Sequence, residues 1–287
     1  MRHLSCAALI CSALAMGSRA AVAQTDRDHL DAMLREHAHE KPTASPATEV
    51  PPAQEVVGSE VEYGTVEGRA ARGYLARPAR VASGPQLPGV LLIHEWWGLN
   101  DHIRAMARRV AGEGYQVLAL DLYGGRAAET PEQARALVGE IMGNPGRAAD
   151  HIRVGTDYLQ ERTSRIGVMG WCFGGGWALQ AALLQPGRID AAVMYYGRPV
   201  TDPERLQVLR APLLGLFGGA DRGIPVTSVR EMEAALRAQG KDVTIQVYEG
   251  AGHAFANPSG DSYRAEAAED AWRRTLAFLA RTLRTGN

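Results

Sequence analysis

Short apolar runs alternate with longer stretches of mixed character along most of the chain. The apolar runs fall at 89–93, 115–120, 166–169, 191–194, 213–217 and 243–248, and each is followed by glycine or polar residues. Between them lie segments of helical length at 101–112, 131–142, 147–161, 173–184, 225–239 and 262–283. A short run that is apolar throughout fits a strand buried on both faces. Strands that alternate with helices specify an α/β fold: a mostly parallel sheet covered by helices on both sides, with its chemistry at the carboxyl ends of the strands. Upstream, alternating residues at 55–63 and 72–77 predict an opening β-hairpin, joined through a turn region at 64–73. No internal repeat is visible.

The start of the chain has a different pattern. Met1-Arg2-His3 is a short basic opening, residues 4–16 are apolar but too few to span a bilayer, and Ala21-Val22-Ala23 is a small-x-small site before Gln24. Residues 1–23 therefore read as a secretory signal peptide, and export to a periplasmic or extracellular space is expected. A buried N-terminal helix is the other reading of the same run. Residues 24–53 are polar and Ala-rich, then Pro-rich through Pro42, Pro46, Pro51 and Pro52, and predict a flexible leader. Glu36-His37-Ala38-His39-Glu40 within it offers too few fixed ligands for a closed metal site, so no metal is expected. The domain proper is expected to run from 54 to 287.

Composition narrows the possibilities. The 287 residues carry 31 basic against 32 acidic side chains and are 46% hydrophobic, as for one ordinary globular domain. A nucleic-acid partner would need a basic stripe, but the arginines from Arg104 to Arg109 are interleaved with apolar residues at helical spacing. No later stretch is long and apolar enough for a membrane span, and a monomer is expected. Of three cysteines, Cys6 and Cys11 fall in the predicted signal peptide, which leaves Cys172 as the one thiol of the mature chain. It is either an inert buried residue or one kept for its chemistry.

Its neighbours favour chemistry. Gly170-Trp171-Cys172-Phe173-Gly174 follows a predicted strand and opens a predicted helix, which is the nucleophile-elbow pattern of the α/β-hydrolase fold with Cys in place of Ser. The sharp turn exposes the sulfur, and the positive end of the helix favours thiolate. Asp221 follows the strand at 213–217 and His253 follows that at 243–248, so nucleophile, acid and histidine occur in the chain order of this fold. His253 is the expected base and Asp221 the residue that fixes its tautomer. Taken singly, Asp221 could be a turn former and His253 a loop histidine. Ile93-His94-Glu95-Trp96-Trp97-Gly98 ends the first long strand, where this fold supplies an oxyanion-hole donor. The backbone N–H groups of Trp96 and Phe173 are the expected donors, and Glu95 is expected beside the thiol. Packing alone would also explain Trp96 and Trp97.

These pieces resemble the dienelactone hydrolase family from about Glu55 to the C-terminus. The matching segments are His94-Glu-Trp-Trp-Gly-Leu-Asn-Asp101, Asp121-Leu-Tyr123, Gly170-Trp-Cys-Phe-Gly-Gly175, Tyr195-Tyr-Gly197, Gly218-Gly-Ala-Asp221 and Tyr248-Glu-Gly-Ala-Gly-His-Ala-Phe255. The resemblance implies a cofactor-free hydrolase of small esters or lactones in which Cys172, Asp221 and His253 form a triad. It also implies that Glu95 pairs with the resting thiol and swings away when substrate arrives. The family's archetype holds a substrate carboxylate with two arginines. Here Asn257 stands at the first of these positions, the second falls at or near Pro131, and Arg135 lies one turn later. A neutral amide does not replace a bidentate guanidinium. Trp97, Tyr196, Asn257 and Arg135 are the candidate substrate contacts. Two alternatives stay open: a general carboxylesterase for neutral esters, and a reactive-thiol redox protein without hydrolytic turnover.

Overall fold

The computed structural model describes residues 45–80 and 86–284. The expected signal peptide and its cleavage site, Cys6, Cys11, leader residues 24–44 with the Glu36–Glu40 motif, and residues 285–287 lie outside the described residues. Eight strands form one sheet: β1 (Val56–Val66), β2 (Arg69–Pro78), β3 (Gly89–Ile93), β4 (Gln116–Leu120), β5 (Ile166–Trp171), β6 (Ala191–Tyr195), β7 (Leu213–Gly218) and β8 (Val243–Tyr248). Their order across the sheet is β1-β2-β4-β3-β5-β6-β7-β8. The first two junctions are antiparallel and every later one is parallel. This is the mostly parallel sheet with an opening hairpin that the pattern predicts.

Strand position explains strand composition. β3, β5, β6 and β7 lie inside the sheet with helices above and below, and every residue in them is buried. Val90, Leu92, Val117, Ala119 and Val193 point to one face, where they meet Ile103, Met106 and Val110 of α1 (Asp101–Gly112) and Phe278 and Leu279 of α7 (Ala265–Leu283). The alternate residues Leu91, Leu118 and Leu120 point to the other face and press on Gly155 of α3 (Pro145–Gln160). A side chain at Gly155 would meet Leu120 at 2.7 Å, so the helix approaches the sheet through the missing Cβ. Also present are α2 (Pro131–Gly143), α4 (Phe173–Leu184), a short α5 (Pro203–Leu206) and α6 (Val226–Ala238), which packs on β7 and β8. Among the described residues, no helix is long and apolar enough to cross a membrane.

Two features depart from the pattern reading. The hairpin turn is not the 64–73 region but the two residues Glu67 and Gly68, both at positive φ (49° and 74°). Positive φ at both central positions matches the right-handed twist of the flanking strands, and Gly68 adopts it without strain. A register shift between Glu62 and Gly64 accompanies a buried Tyr63, whose hydroxyl lies 2.6 Å from His151 Nδ1 on α3. The second departure is the end of the leader. Residues 46–48 form a 3-10 turn capped by Ser45, whose Oγ lies 2.6 Å from His102 Nδ1 on α1, and Gln54 Nε2 donates to the Gly112 carbonyl. The end of the leader thus touches the domain through buried Ser45 and Ala47, while most residues from 48 to 53 stay exposed, and composition alone did not mark the serine as an anchor.

Candidate active site

Parallel register brings the loops after β3, β4, β5, β6, β7 and β8 to one edge of the sheet. Ile93 pairs with Leu120 and Gly170, Trp171 with Tyr195, and Gly218 with Tyr248, so the residues that follow emerge side by side. The ladder continues past the strand ends: the Cys172 N–H donates to the Tyr195 carbonyl (3.0 Å), Tyr196 N–H to Leu216 (2.7 Å) and Gly219 N–H to Tyr248 (2.8 Å). Each loop is thereby tied to the next.

Cys172 stands between β5 and α4 at φ 54°, ψ −119°, a conformation that ordinary side chains avoid. The glycines around it make the turn possible. A Cβ on Gly174 would collide with the carbonyl oxygens of Ile93 and His94, and one on Gly170 with the carbonyl of Gly174. The two glycines therefore let the head of α4 sit directly on the end of β3. Positive φ recurs at Tyr196 (34°) and Ala254 (56°), next to the other loops of the same edge. Such strain persists only where surrounding contacts enforce it, and it clusters where geometry matters for function.

His253 and Asp221 meet as the sequence predicts. His253 Nδ1 lies 2.7 Å from Asp221 Oδ2, and both side chains are buried, at 1% exposure. Asp221 Oδ1 accepts the N–H groups of Gly223 (2.9 Å) and Ile224 (2.8 Å), which fixes the carboxylate from the main chain. An ionised carboxylate only accepts, so Nδ1 keeps its proton and donates it to Asp221, leaving Nε2 as the nitrogen able to receive one. Tyr196 packs edge-on against the His253 ring at 5.0 Å and against Phe255 at 5.4 Å. It is fully buried beside the histidine, and it was expected as a substrate contact.

The loop after β3 holds the remaining residues. Glu95 is buried, and its Oε2 accepts from Asn257 Nδ2 at 2.8 Å. Asn257 Oδ1 in turn accepts the Ser259 N–H at 2.9 Å, which sets the orientation of the amide. The residue expected to touch substrate is thus a partner of Glu95. Trp96 and Trp97 are buried against each other with ring centroids 4.7 Å apart. Phe173 is partly buried at the first turn of α4, where backbone N–H groups have no partner within the helix. Arg135 is an exposed residue of α2, unlike the buried residues of the centre.

Sequence reasoning gave no role to two aromatic residues here. His94 is fully buried, with Nδ1 2.6 Å from the Glu95 carbonyl and Nε2 accepting the Leu122 N–H at 3.2 Å. Burial lowers its pKa and favours the neutral ring, although its hydrogen bond to Glu95 and the charge of Asp121 pull the other way. Tyr123 donates from its hydroxyl to the Trp96 carbonyl at 3.2 Å. Burial, and then the nearby Cys172 and Asp121, push that hydroxyl well above the usual phenol range, so it stays a donor. Asp121 shapes their shared loop by accepting the N–H groups of Tyr123 (2.9 Å) and Gly125. The pairing of Ile93 with Leu120 was the available signal, because it places residue 94 beside residues 121–123.

Comparison with known proteins agrees with this geometry. The model of the dienelactone hydrolase family matches residues 71–283. A relative in Methylorubrum extorquens that carries the name carboxymethylenebutenolidase is 34% identical over 252 residues, covering 82% of this chain and 84% of its own. The protein usf of Aquifex pyrophilus is 32% identical over 78% of this chain and 98% of its own. A solved structure from Klebsiella pneumoniae under the name dienelactone hydrolase superposes with a TM-score of 0.71 at 31% identity, over 79% of this chain and all of the other.

Proposed function

This chain belongs to the dienelactone hydrolase family, with its α/β-hydrolase fold, and we propose that it hydrolyses small esters or lactones through Cys172. The observation that supports this most is Cys172 itself, held at φ 54° at the head of α4 on the sheet edge that also carries the Asp221–His253 pair. In the proposed reaction, His253 Nε2 takes the thiol proton as sulfur attacks the acyl carbon, giving a tetrahedral oxyanion that the N–H groups of Trp96 and Phe173 stabilise. Collapse expels the alcohol, which recovers the proton from His253. Water, deprotonated by the same nitrogen, then resolves the thioester to acid and free thiol. Asp221 holds the histidine tautomer and stabilises the imidazolium. Glu95 acts on the protonation of the resting thiol, a role carried over from the family. No cofactor enters this scheme.

The substrate reading favours neutral esters over carboxylate-bearing ones, because Asn257 is engaged with Glu95 and carries no charge. Treating the protein with a short p-nitrophenyl ester and quenching early should leave one acyl group on Cys172, seen by peptide mass, and Cys172→Ala should abolish both adduct and turnover. Turnover without an adduct would reject the thioester route. Sulfenic acid at Cys172 with no hydrolysis would instead favour the redox reading. We also propose export with cleavage before Gln24, on the strength of residues 1–23 of the sequence. N-terminal sequencing that finds Met1 on material outside the cytoplasm would reject it.

A further inference from the structure

We propose that His94 is a positioning residue of the oxyanion hole, which fixes the Glu95–Trp96 peptide so that the Trp96 N–H faces the developing oxyanion, with Tyr123 securing the same segment from its other end. The inference rests on the reading of Cys172 as nucleophile and adds to it a residue that touches no reacting atom.

The ring leaves little freedom. A backbone N–H only donates and a carbonyl only accepts, so Leu122 N–H at Nε2 and the Glu95 carbonyl at Nδ1 together fix the proton on Nδ1. His94 Nδ1–H therefore donates to Glu95. In a trans peptide the C=O and the following N–H point in opposite directions. Gripping the Glu95 carbonyl from the His94 side thus directs the Trp96 N–H away from that ring. The Gly98 N–H bonds the same carbonyl at 3.3 Å and closes a turn. One peptide later, the Tyr123 hydroxyl holds the Trp96 carbonyl at 3.2 Å. Trp96 then has both of its flanking peptide planes pinned. The loop is latched once more where the Ala128 N–H meets the Trp97 carbonyl at 2.9 Å.

The same ring reaches the other half of the hole. His94 stacks on Phe173 at 6.2 Å with an interplanar angle of 24°, and Phe173 carries the second proposed donor. Tyr123 lies against both rings, 4.6 Å from His94 and 6.1 Å from Phe173. Loops from β3, β4 and β5 thus converge on one imidazole. Preorganised donors of this kind act on the transition state, because they need no rearrangement when charge appears.

Two reactions of the same thiol separate positioning from packing. Acylation of Cys172 by p-nitrophenyl acetate passes through an oxyanion. Alkylation by iodoacetamide forms the S–C bond as iodide leaves a saturated carbon, and makes none. His94→Ala should slow single-turnover acylation at least about tenfold while alkylation stays within about twofold. In His94→Asn the amide Nδ2 can take the place of Nδ1, and part of the acylation rate should return. Tyr123→Phe should show a smaller loss with the same selectivity. Should His94→Ala not fold, His94→Asn and Tyr123→Phe carry the test. Equal slowing of both reactions, or of neither, in the folded variants would overturn the proposal. A wild-type protein that is alkylated but never acylated at Cys172 would instead overturn the nucleophile reading beneath it.

Discussion

Asp221 and Glu95 are both buried carboxylates, and both bond a side chain from the loop after β8, His253 in one case and Asn257 in the other. Asp221 has the shorter side chain, and its Oδ1 is bound by two main-chain N–H groups. Glu95 has one methylene more and is held by a side-chain amide. A carboxylate anchored to the main chain keeps one orientation and suits the task of fixing a histidine tautomer. One anchored through a side-chain amide depends on that amide's own rotamer, so its orientation is set less directly by the main chain. The movement that the family resemblance implies for Glu95 would have to break its bond to Asn257.

The comparison breaks most readily at Asp221. Asp221→Asn should keep the fold but favour the wrong histidine tautomer, and lower kcat on a p-nitrophenyl ester by about a thousandfold. A loss under about tenfold, with an unchanged circular dichroism spectrum, would mean the fixed carboxylate orients nothing that matters. Glu95→Gln should do less: turnover should fall at least about tenfold, roughly 1.4 kcal/mol in the barrier, and the pH profile of iodoacetamide labelling at Cys172 should shift. Wild-type turnover with an unchanged labelling profile would make Glu95 a structural residue. Smaller still is the effect of substrate charge. A neutral ester should be hydrolysed at least as well as its carboxylate-bearing analogue. A preference of about a hundredfold for the anion, near 2.7 kcal/mol, would show that a cation clamps it after all.

Comparing the two acids across pH requires the acid response of the fold itself. His102, buried under Ser45, has its pKa lowered by desolvation from 6.5 to about 4. In the unfolded chain the ring takes up a proton near pH 6.5, while the folded state resists until about 4. Stability from this site is therefore full above 6.5, declines as pH falls through the window between the two values, and levels off below it. Melting temperatures measured from pH 7.5 to 4.5 should drop less in His102→Gln than in the wild type. Parallel curves would exclude His102 as a source.

How far the sequence spoke depended on the range of the interaction. The buried strands and the elbow were legible because a residue's fate there is set by near neighbours: an apolar run, a glycine pair, a helix start. Asp221 and His253 were legible because chain order in this fold constrains them. The bond from Asn257 to Glu95 was hidden, since it joins residues 162 positions apart and depends on side-chain geometry. Ser45 was hidden for a related reason. Its composition is that of a linker, and only the partner on α1 makes it an anchor. His94 and Tyr123 stood in plain view, but their function lies in gripping backbone carbonyls, which residue identity does not announce.

The strained conformation at Cys172 also governs the order in which the molecule comes together. The turn at φ 54° draws on distant strands as well as on its own helix: the Cys172 carbonyl accepts from Gly176, its N–H donates to the Tyr195 carbonyl at the end of β6, and Gly174 sits against the Ile93 and His94 carbonyls at the end of β3. Until those strands are registered, the cysteine is free to relax into an ordinary extended backbone. During refolding from denaturant, helical signal and compaction should therefore return first, and rapid acylation of Cys172 last, which makes the rate of thiol acylation a kinetic clock for completion of the sheet.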